Sequence, residues 1–290
     1  MRVLLLHNPV AGDGDAGLKR LLALLGAHGH AVRCRSTKEP GWKKALRRAG
    51  ELIVVAGGDG TVAKVLRRLD EDAPPVAILP CGSANNIARG LGIDGDLQAW
   101  IGHWPHAPVH CFERPLVRVG RRRRRFVEAV GLGVFASVIA DPQADSARGE
   151  DKVQLGTGLL LDALRRAPAR RWRVEIDGSE VDCPDAIMLE ALNVPLIGPR
   201  LPLSAMAPGA GPLDIAIVPA AGRGQLIERL AAGGELQRVP LSLRRARHVV
   251  LHPAGSPLHV DDVLWPKRAG RHAAVEIVTG GAAVRVLRAN

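Results

Sequence analysis

Tyrosine is missing from this 290-residue chain, and with three Phe and five Trp the aromatic residues amount to only 3%. Alanine, arginine, glycine and proline are abundant instead, a coding bias without functional message. Cysteine is scarce: Cys34, Cys81, Cys111 and Cys183 lie far apart and form no C-x-x-C pair, which argues against a zinc knuckle and a disulfide framework. The four read as reduced, small side chains. No apolar run approaches the roughly 20 residues that a membrane-spanning helix needs; stretches such as 76–80 and 159–161 are far shorter. The apolar stretch after Met1 breaks at His7-Asn8-Pro9, too early for a signal peptide, so a cytoplasmic protein is expected. The ten histidines show no metal-ligand spacing, and Ser83, Ser137 and Ser204 lack a nucleophile-elbow setting, which leaves zinc and a hydrolase triad unsupported.

What is present describes an ordinary globular protein, 47% hydrophobic and 24% charged. Its length exceeds that of a usual single core, so two domains are expected, 1–108 and 109–290, with the last segment packing back on the first. A formal net charge of +11 favours polyanionic partners: nucleotide phosphates, an anionic membrane face or nucleic acid. Nucleic acid is disfavoured, because the basic residues are not interleaved with aromatics and no zinc-finger or RNA-recognition signature occurs. A homo-oligomer is compatible with the composition.

Apolar strand-like stretches at 2–6, 31–35, 51–56 and 76–80 alternate with helical patterns at 18–25, 42–49, 61–69 and 85–91. This alternation predicts βαβ units and a doubly wound parallel sheet, whose ligands bind at the carboxyl ends of the strands. Beyond residue 110 the texture turns β-rich, with stretches at 111–119, 125–130, 171–176, 186–192, 213–218, 241–251, 273–278 and 284–287 and helical candidates at 152–166 and 224–232. A C-terminal, mainly antiparallel domain is therefore expected.

Chemistry concentrates in three loops. Gly57-Gly58-Asp59-Gly60-Thr61 lies between an apolar strand and a helical stretch, where bare glycines let the backbone approach phosphate and a helix N-terminus favours the anion. An acidic residue there would repel phosphate unless a cation or a proton transfer is involved, so Asp59 reads as a magnesium-linked or base position. Pro80-Cys81-Gly82-Ser83-Ala84-Asn85-Asn86 follows the next strand and opens another helix, which Asn85 or Asn86 could cap. Asn8-Pro9-Val10-Ala11-Gly12-Asp13-Gly14 follows the first strand and could reach the same crevice. The run Arg121–Arg125 reads as a hairpin tip, either a contact for anionic lipid headgroups or a solvated turn.

These residues, in this order and spacing, resemble the diacylglycerol kinase catalytic-domain family, which includes bacterial lipid kinases and sphingosine kinases and shares a fold with NAD kinases. Asn8-Pro9, Gly57–Thr61 and Pro80-x-Gly82-Ser83-x-Asn85-Asn86-x-Ala88-Arg89 carry the resemblance. It continues more loosely through Gly131-Leu132-Gly133, Asn193 with Gly198, Pro212-Leu213-Asp214 and the stretch from His259 to Pro266. The resemblance implies ATP in an interdomain cleft, Mg²⁺, and transfer of the γ-phosphoryl group to the hydroxyl of a lipid alcohol such as diacylglycerol. It places Asn8, Gly57, Gly58, Asp59, Gly60, Thr61, Gly82, Ser83 and Asn85 around the nucleotide, with Asp59, Asp261 and Asp262 as the catalytic carboxylates and a peripheral location at the inner membrane face.

The chain departs from the family pattern where a carboxylate is usual: Asn86 in the second loop, Ala210 before Gly211, and Val263 where a glutamate serves as general base. Phosphoryl transfer relies on positioning and charge stabilisation more than on a base, so a kinase remains the leading expectation. The alternatives are a weakly active or non-catalytic nucleotide-binding homologue, and a kinase of a soluble alcohol or NAD.

Overall fold

The computed structural model describes all residues except 13, 145, 148, 232–240, 267–272 and 290. The chain divides into two compact units, Met1–Phe112 with Ala282–Asn290, and Glu113–Gly281. In chain order the elements begin β1 (Arg2–His7), α1 (Gly14–Ala27), β2 (Ala31–Ser36), α2 (Trp42–Leu46), β3 (Leu52–Gly57), α3 (Asp59–Leu66), β4 (Val76–Pro80), α4 (Asn86–Gly90), α5 (Leu97–His103) and β5 (Val109–Glu113). There follow β6 (Leu116–Val119), β7 (Arg122–Arg125), β8 (Ala129–Gly133), α6 (Val134–Ala140), α7 (Gly149–Arg166), β9 (Arg170–Ile176), β10 (Ser179–Leu192), β11 (Leu196–Ile197), β12 (Leu201–Pro202) and β13 (Leu213–Pro219). The chain closes with α8 (Arg223–Ala231), β14 (Ser242–Ala246), β15 (His248–His252), β16 (Leu258–Val260), β17 (Val263–Leu264), β18 (Val275–Val278) and β19 (Ala283–Leu287).

The first unit holds a sheet in the order β2-β1-β3-β4-β19-β5, in which β1, β2, β3, β4 and β19 run parallel. Interior strands are buried on both faces, which is why β1 and β3 read as unbroken apolar runs, whereas edge strand β2 alternates between exposed and half-buried residues. Each fully buried Leu or Val of these strands contributes about 1.5–3 kcal/mol. Helix α5 breaks no obvious pattern in the sequence and was not expected; Asp96 caps it by accepting from Gln98 N–H, and Trp100 anchors it by donating from its indole to the Ile78 carbonyl of β4 at 3.0 Å.

In the second unit an antiparallel sheet runs β17-β16-β8-β10-β9-β15-β18-β6-β7, with β13 paired to β10 and β14 to β13. One face carries a core built from Trp172, Val174, Leu189, Ile215, Val249 and Ile277 among others. A second core lies where Phe135, Leu160, Leu164 and Leu226 of the helices cover Met188, Leu192 and Val218. Having apolar cover on both sides, the later half of β10 is buried at every position.

Several expectations are corrected. The stretch 111–119 is two strands, β5 in the first sheet and β6 in the second, interrupted at Arg114-Pro115, where proline has no N–H to donate. The stretch 125–130 is likewise split between β7 and β8, and 241–251 between β14 and β15 at Arg247. Position 232, at the end of the expected 224–232 helix, lies outside the described residues. Helix α6 was also unexpected, since its sequence VFASVIA, apolar apart from Ser137, has no helical period.

Only Arg121 of the arginine run lies at a hairpin tip. Gly120, at φ +57°, and Arg121 form the turn, while Arg122–Arg125 build β7 against β6, with Arg118 opposite Arg123 and Val119 opposite Arg122. A sheet edge made of arginine resists pairing with another strand, because bringing two such edges together would juxtapose like charges.

A pH dependence arises beside α1. The His30 ring stacks on Trp104 with centroids 5.5 Å apart, and neither buried ring nitrogen has a hydrogen-bond partner among the described residues. Burial, followed by the N-terminal ammonium and His28, holds His30 below its ordinary pKa. As pH falls through about 6.5, the usual histidine value, the unfolded chain takes up this proton before the folded one, so stability declines on the acid side. Thermal melts between pH 7 and 5.5 are expected to show a shallower acid-side loss of Tm in His30→Phe than in the wild type; an unchanged slope would remove His30 as its source.

Candidate phosphate-binding site

In the first unit, the parallel register sets His7 beside Ala56 and Gly57 beside Pro80, so β1, β3 and β4 end side by side and release their loops at one edge of the sheet. Main-chain bonds stitch the exits together: Asn8 N–H donates to Ala56 O at 3.1 Å and Cys81 N–H to Gly57 O at 3.1 Å. The three loops expected to converge therefore do so.

Their glycines serve loop-to-loop contact. A Cβ on Gly82 would lie 2.3 Å from the Gly58 Cα, and one on Gly58 would lie 3.0 Å from the Gly82 Cα, so the two backbones touch at a point where neither tolerates a side chain. A Cβ on Gly57 would lie 2.7 Å from that of Thr61, which is folded back over the strand end. The Thr61 hydroxyl accepts from Asn8 Nδ2 at 3.2 Å, which joins the first loop to the start of α3, while the N–H groups of Thr61 and Val62 both donate to Gly58 O. Gly60 lies in the first turn of α3, and Ser83 is half-buried in the second loop.

Asn85 does not cap α4 with its side chain. It sits in the left-handed region at φ +56°, and its amide grips Gly82 from both sides, Oδ1 accepting from Gly82 N–H at 2.9 Å and Nδ2 donating to Gly82 O at 2.8 Å. Asn tolerates this backbone better than most residues because its short polar side chain bonds locally. Asp59 supplies the missing capping contact from the other loop: its Oδ1 accepts from Ile87 N–H at 2.9 Å, inside the first turn of α4. Burial raises the Asp59 carboxyl above the usual carboxylate range, opposed by the N–H groups of Ile87, Asn86, Asp59 and Asn85. Asp59 is thus a brace between the two glycine loops as well as the acidic group among them. Burial likewise pushes the Cys81 thiol up, which keeps it protonated and a poor nucleophile.

Beside these loops lies a cavity of about 310 Å³. Asn8, Gly12, Ala56 and Cys81 bound its loop end, while Leu18 and Leu21 of α1 give it an apolar wall.

In the second unit, the Asp261–Asp262 pair is not extended. It is the turn between β16 and β17, with Asp261 at φ +52°. The buried Asp261 carboxylate accepts from Val127 N–H at 2.9 Å and Glu128 N–H at 2.8 Å, and its own N–H donates to Ala129 O. Asn193 holds the same segment from elsewhere, its N–H donating to Glu128 O and its Nδ2 to Val127 O and Glu113 O. Asp262 is exposed. Val263 stands opposite Val260, whose side chain is fully buried, so position 263 shares its face with the core. The Asp214 carboxylate is engaged by the Ser204 hydroxyl and by Arg245 Nε at 3.3 Å.

Two residues here escaped the functional reading of the sequence. Glu190 and His259 are buried at 0% exposure and meet at 2.8 Å. The signal was a lone carboxylate inside the apolar run Ala186–Leu192.

Residues 2–106 match the family model described as the diacylglycerol kinase catalytic domain. Diacylglycerol kinase 2 of Arabidopsis thaliana is 30% identical over 177 residues, 49% of this chain and 25% of that protein. The diacylglycerol kinase of Bacillus subtilis strain 168 is 38% identical over 66 residues, 22% of each chain. The chain thus spans about a quarter of the length of the curated relatives it matches. A diacylglycerol kinase structure from Bacillus anthracis superposes with a TM-score of 0.71 at 21% identity, covering 99% of this chain and 97% of that one, which establishes the shared fold.

Proposed function

We propose that the chain is an ATP-dependent lipid kinase that transfers a γ-phosphoryl group to the hydroxyl of a lipid alcohol such as diacylglycerol. The observation that carries this reading is the locked contact of Gly58 with Gly82 between two loops at the carboxyl ends of adjacent parallel strands, with the N-terminus of α3 behind them. Such a backbone cradle presents N–H groups and a helix dipole to phosphate. Asn8 and Thr61 tie the first loop to it, and the adjoining cavity has the size and apolar wall for a nucleobase.

Mg²⁺ fits this chain as a companion of the nucleotide. Among the described residues no cluster of three His, Cys, Asp or Glu side chains could form an all-protein cage, and Mg²⁺ is ordinarily held by one or two carboxylates plus substrate phosphates. Asp59 would be the carboxylate; when bound, the metal supplies neutralisation of phosphate charge. In the second unit Asp261 is committed to the Val127 and Glu128 N–H groups, which leaves Asp262 as the carboxylate able to meet an acceptor hydroxyl. Incubation with labelled ATP, Mg²⁺ and a total lipid extract is expected to yield a labelled phospholipid product. Absence of any product with ATP binding intact would favour the second reading, a non-catalytic nucleotide-binding homologue, for which the engagement of Asp261 and the residues Ala210 and Val263 speak.

The basic edge strand supports peripheral contact with an anionic membrane face. Each basic side chain near such a surface contributes about 1 kcal/mol, so changing Arg122, Arg123 and Arg124 to Ser is expected to weaken co-sedimentation with anionic vesicles by at least about tenfold at low salt, while turnover on a short-chain soluble acceptor persists. An unchanged bound fraction would leave the strand as edge protection alone.

A further inference from the structure

Glu190 and His259 stand on different strands with β8 between them. The register places Glu190 opposite Gly131 and Gly131 opposite His259, so all three form one row across β10, β8 and β16. Outer strands of such a triplet lie about 9.5 Å apart, and the two side chains meet only by passing over the middle strand. Gly131 makes that passage: a Cβ there would lie 2.0 Å from Glu190 Oε2. The row faces the helical cover, since Glu190 shares its face with Met188 and Leu192, and the Phe135 ring of α6 lies 6.4 Å from that of His259.

The hydrogen-bonding pattern dictates the proton count. His259 Nδ1 faces the Asp261 carbonyl at 3.0 Å, an acceptor only, so Nδ1 carries a proton. Nε2 faces Glu190 Oε2 at 2.8 Å, and a single proton shared between them closes that bond, whether the pair is written as imidazolium with carboxylate or imidazole with carboxylic acid. Glu190 Oε1 has no partner among the described residues. Of the charged groups near this row, Glu190 and Asp261 both favour a protonated His259, against burial. A buried ionisable pair of this kind is a poor source of stability compared with apolar side chains of the same volume. What it does instead is hold the carbonyl of a residue in the left-handed region, at the base of the turn that carries Asp262.

Resting on the kinase reading, we propose that Glu190 and His259, joined over Gly131, form a positioning pair that fixes the Asp261–Asp262 turn and thereby aims the Asp262 carboxylate at the acceptor hydroxyl. The pair touches no reactant. It acts through two links, from His259 Nδ1 to the Asp261 carbonyl and from the Asp261 carboxylate to the Val127 and Glu128 N–H groups. This gives a buried Glu–His pair a role in turnover rather than in stability.

The test uses the full-length protein. Removing one partner alone leaves a buried group uncompensated and threatens folding, so the informative variant is the apolar double exchange Glu190→Met with His259→Leu. Its expected signature is an intact thermal transition, kcat reduced at least about tenfold as for loss of a well-placed base, and an unchanged KM for ATP. Glu190→Gln, whose amide can donate to Nε2 while Nδ1–H stays on the Asp261 carbonyl, is expected to recover most of the turnover. In an Asp262→Asn background the double exchange should cause little further loss, because its effect runs through Asp262. A folded double variant with wild-type kcat, or one whose losses simply multiply with that of Asp262→Asn, overturns the proposal. Amide hydrogen exchange separates this failure from failure of the kinase reading. Protection of the Val127, Glu128 and Asp261 amides should fall at least about tenfold in the double variant and persist in Glu190→Gln, a change that mirrors local opening. Unchanged protection refutes the positioning role even if no lipid is ever phosphorylated.

Discussion

Gly82→Ala is expected to abolish ATP binding while leaving a folded protein. The added methyl would lie 2.3 Å from the Gly58 Cα, 2.9 Å from Asn85 Oδ1 and 3.1 Å from Gly58 N, and two of these three are backbone atoms that cannot rotate away. The loops must part, and parting them breaks the Asn85 grip on Gly82 and strains the Asp59 contact with Ile87. Affinity in calorimetric titration should fall by at least about 100-fold, comparable to losing two hydrogen bonds to a charged group at about 1.5 kcal/mol each. Gly58→Val should act in the same way, through the same contact as well as through the approach of backbone to phosphate. Gly26 in α1 provides the control: nothing lies within 4 Å of its Cβ position, so Gly26→Ala should leave binding intact and stabilise the helix by about 0.5–1 kcal/mol. Wild-type affinity in a folded Gly82→Ala variant would refute the cradle.

The second large effect belongs to Asp59. Asp59→Asn is expected to lower kcat by about 10²–10⁴-fold with a much smaller change in ATP affinity, because the amide Oδ1 can still accept from Ile87 N–H and keep the loops braced. Asp59 should also shape the pH profile. Its carboxyl is held above the usual range by burial, so the ionised form is lost as pH falls through that raised value. In the metal-free protein this loss is therefore expected, by NMR titration, at a higher pH than an ordinary carboxylate, about 3.9, would show. Equal losses of kcat and affinity in Asp59→Asn would reduce the residue to a brace. A different expectation follows for Val263, where the family pattern suggests that a restored glutamate would raise activity. Because Val263 shares its face with the buried Val260, Val263→Glu should lower stability instead of supplying a base.

The parallel sheet of the first unit was legible because fully buried strands must be apolar runs, and because glycine-rich turns between strand and helix mark the carboxyl edge. Asn8, Gly57, Gly58, Thr61 and Gly82 were found on that ground. The sequence did not reveal what the glycines are for. Gly58 and Gly82 are 24 positions apart, and only the pairing of β3 with β4 brings their backbones into contact. Nor did the sequence reveal the two-residue turn at Asp261–Asp262, where Asp261 takes a positive φ.

By itself the sequence determined the fold class, the two textures of the chain and the three loops at the carboxyl edge of the parallel sheet, all of which follow from local period and turn chemistry. Tertiary structure alone decided the return of β19 to the first sheet, the interlock of the glycine loops, and the row of Glu190, Gly131 and His259. Each depends on strand order between residues distant in the chain, and a pattern read along the backbone carries no record of which strands become neighbours.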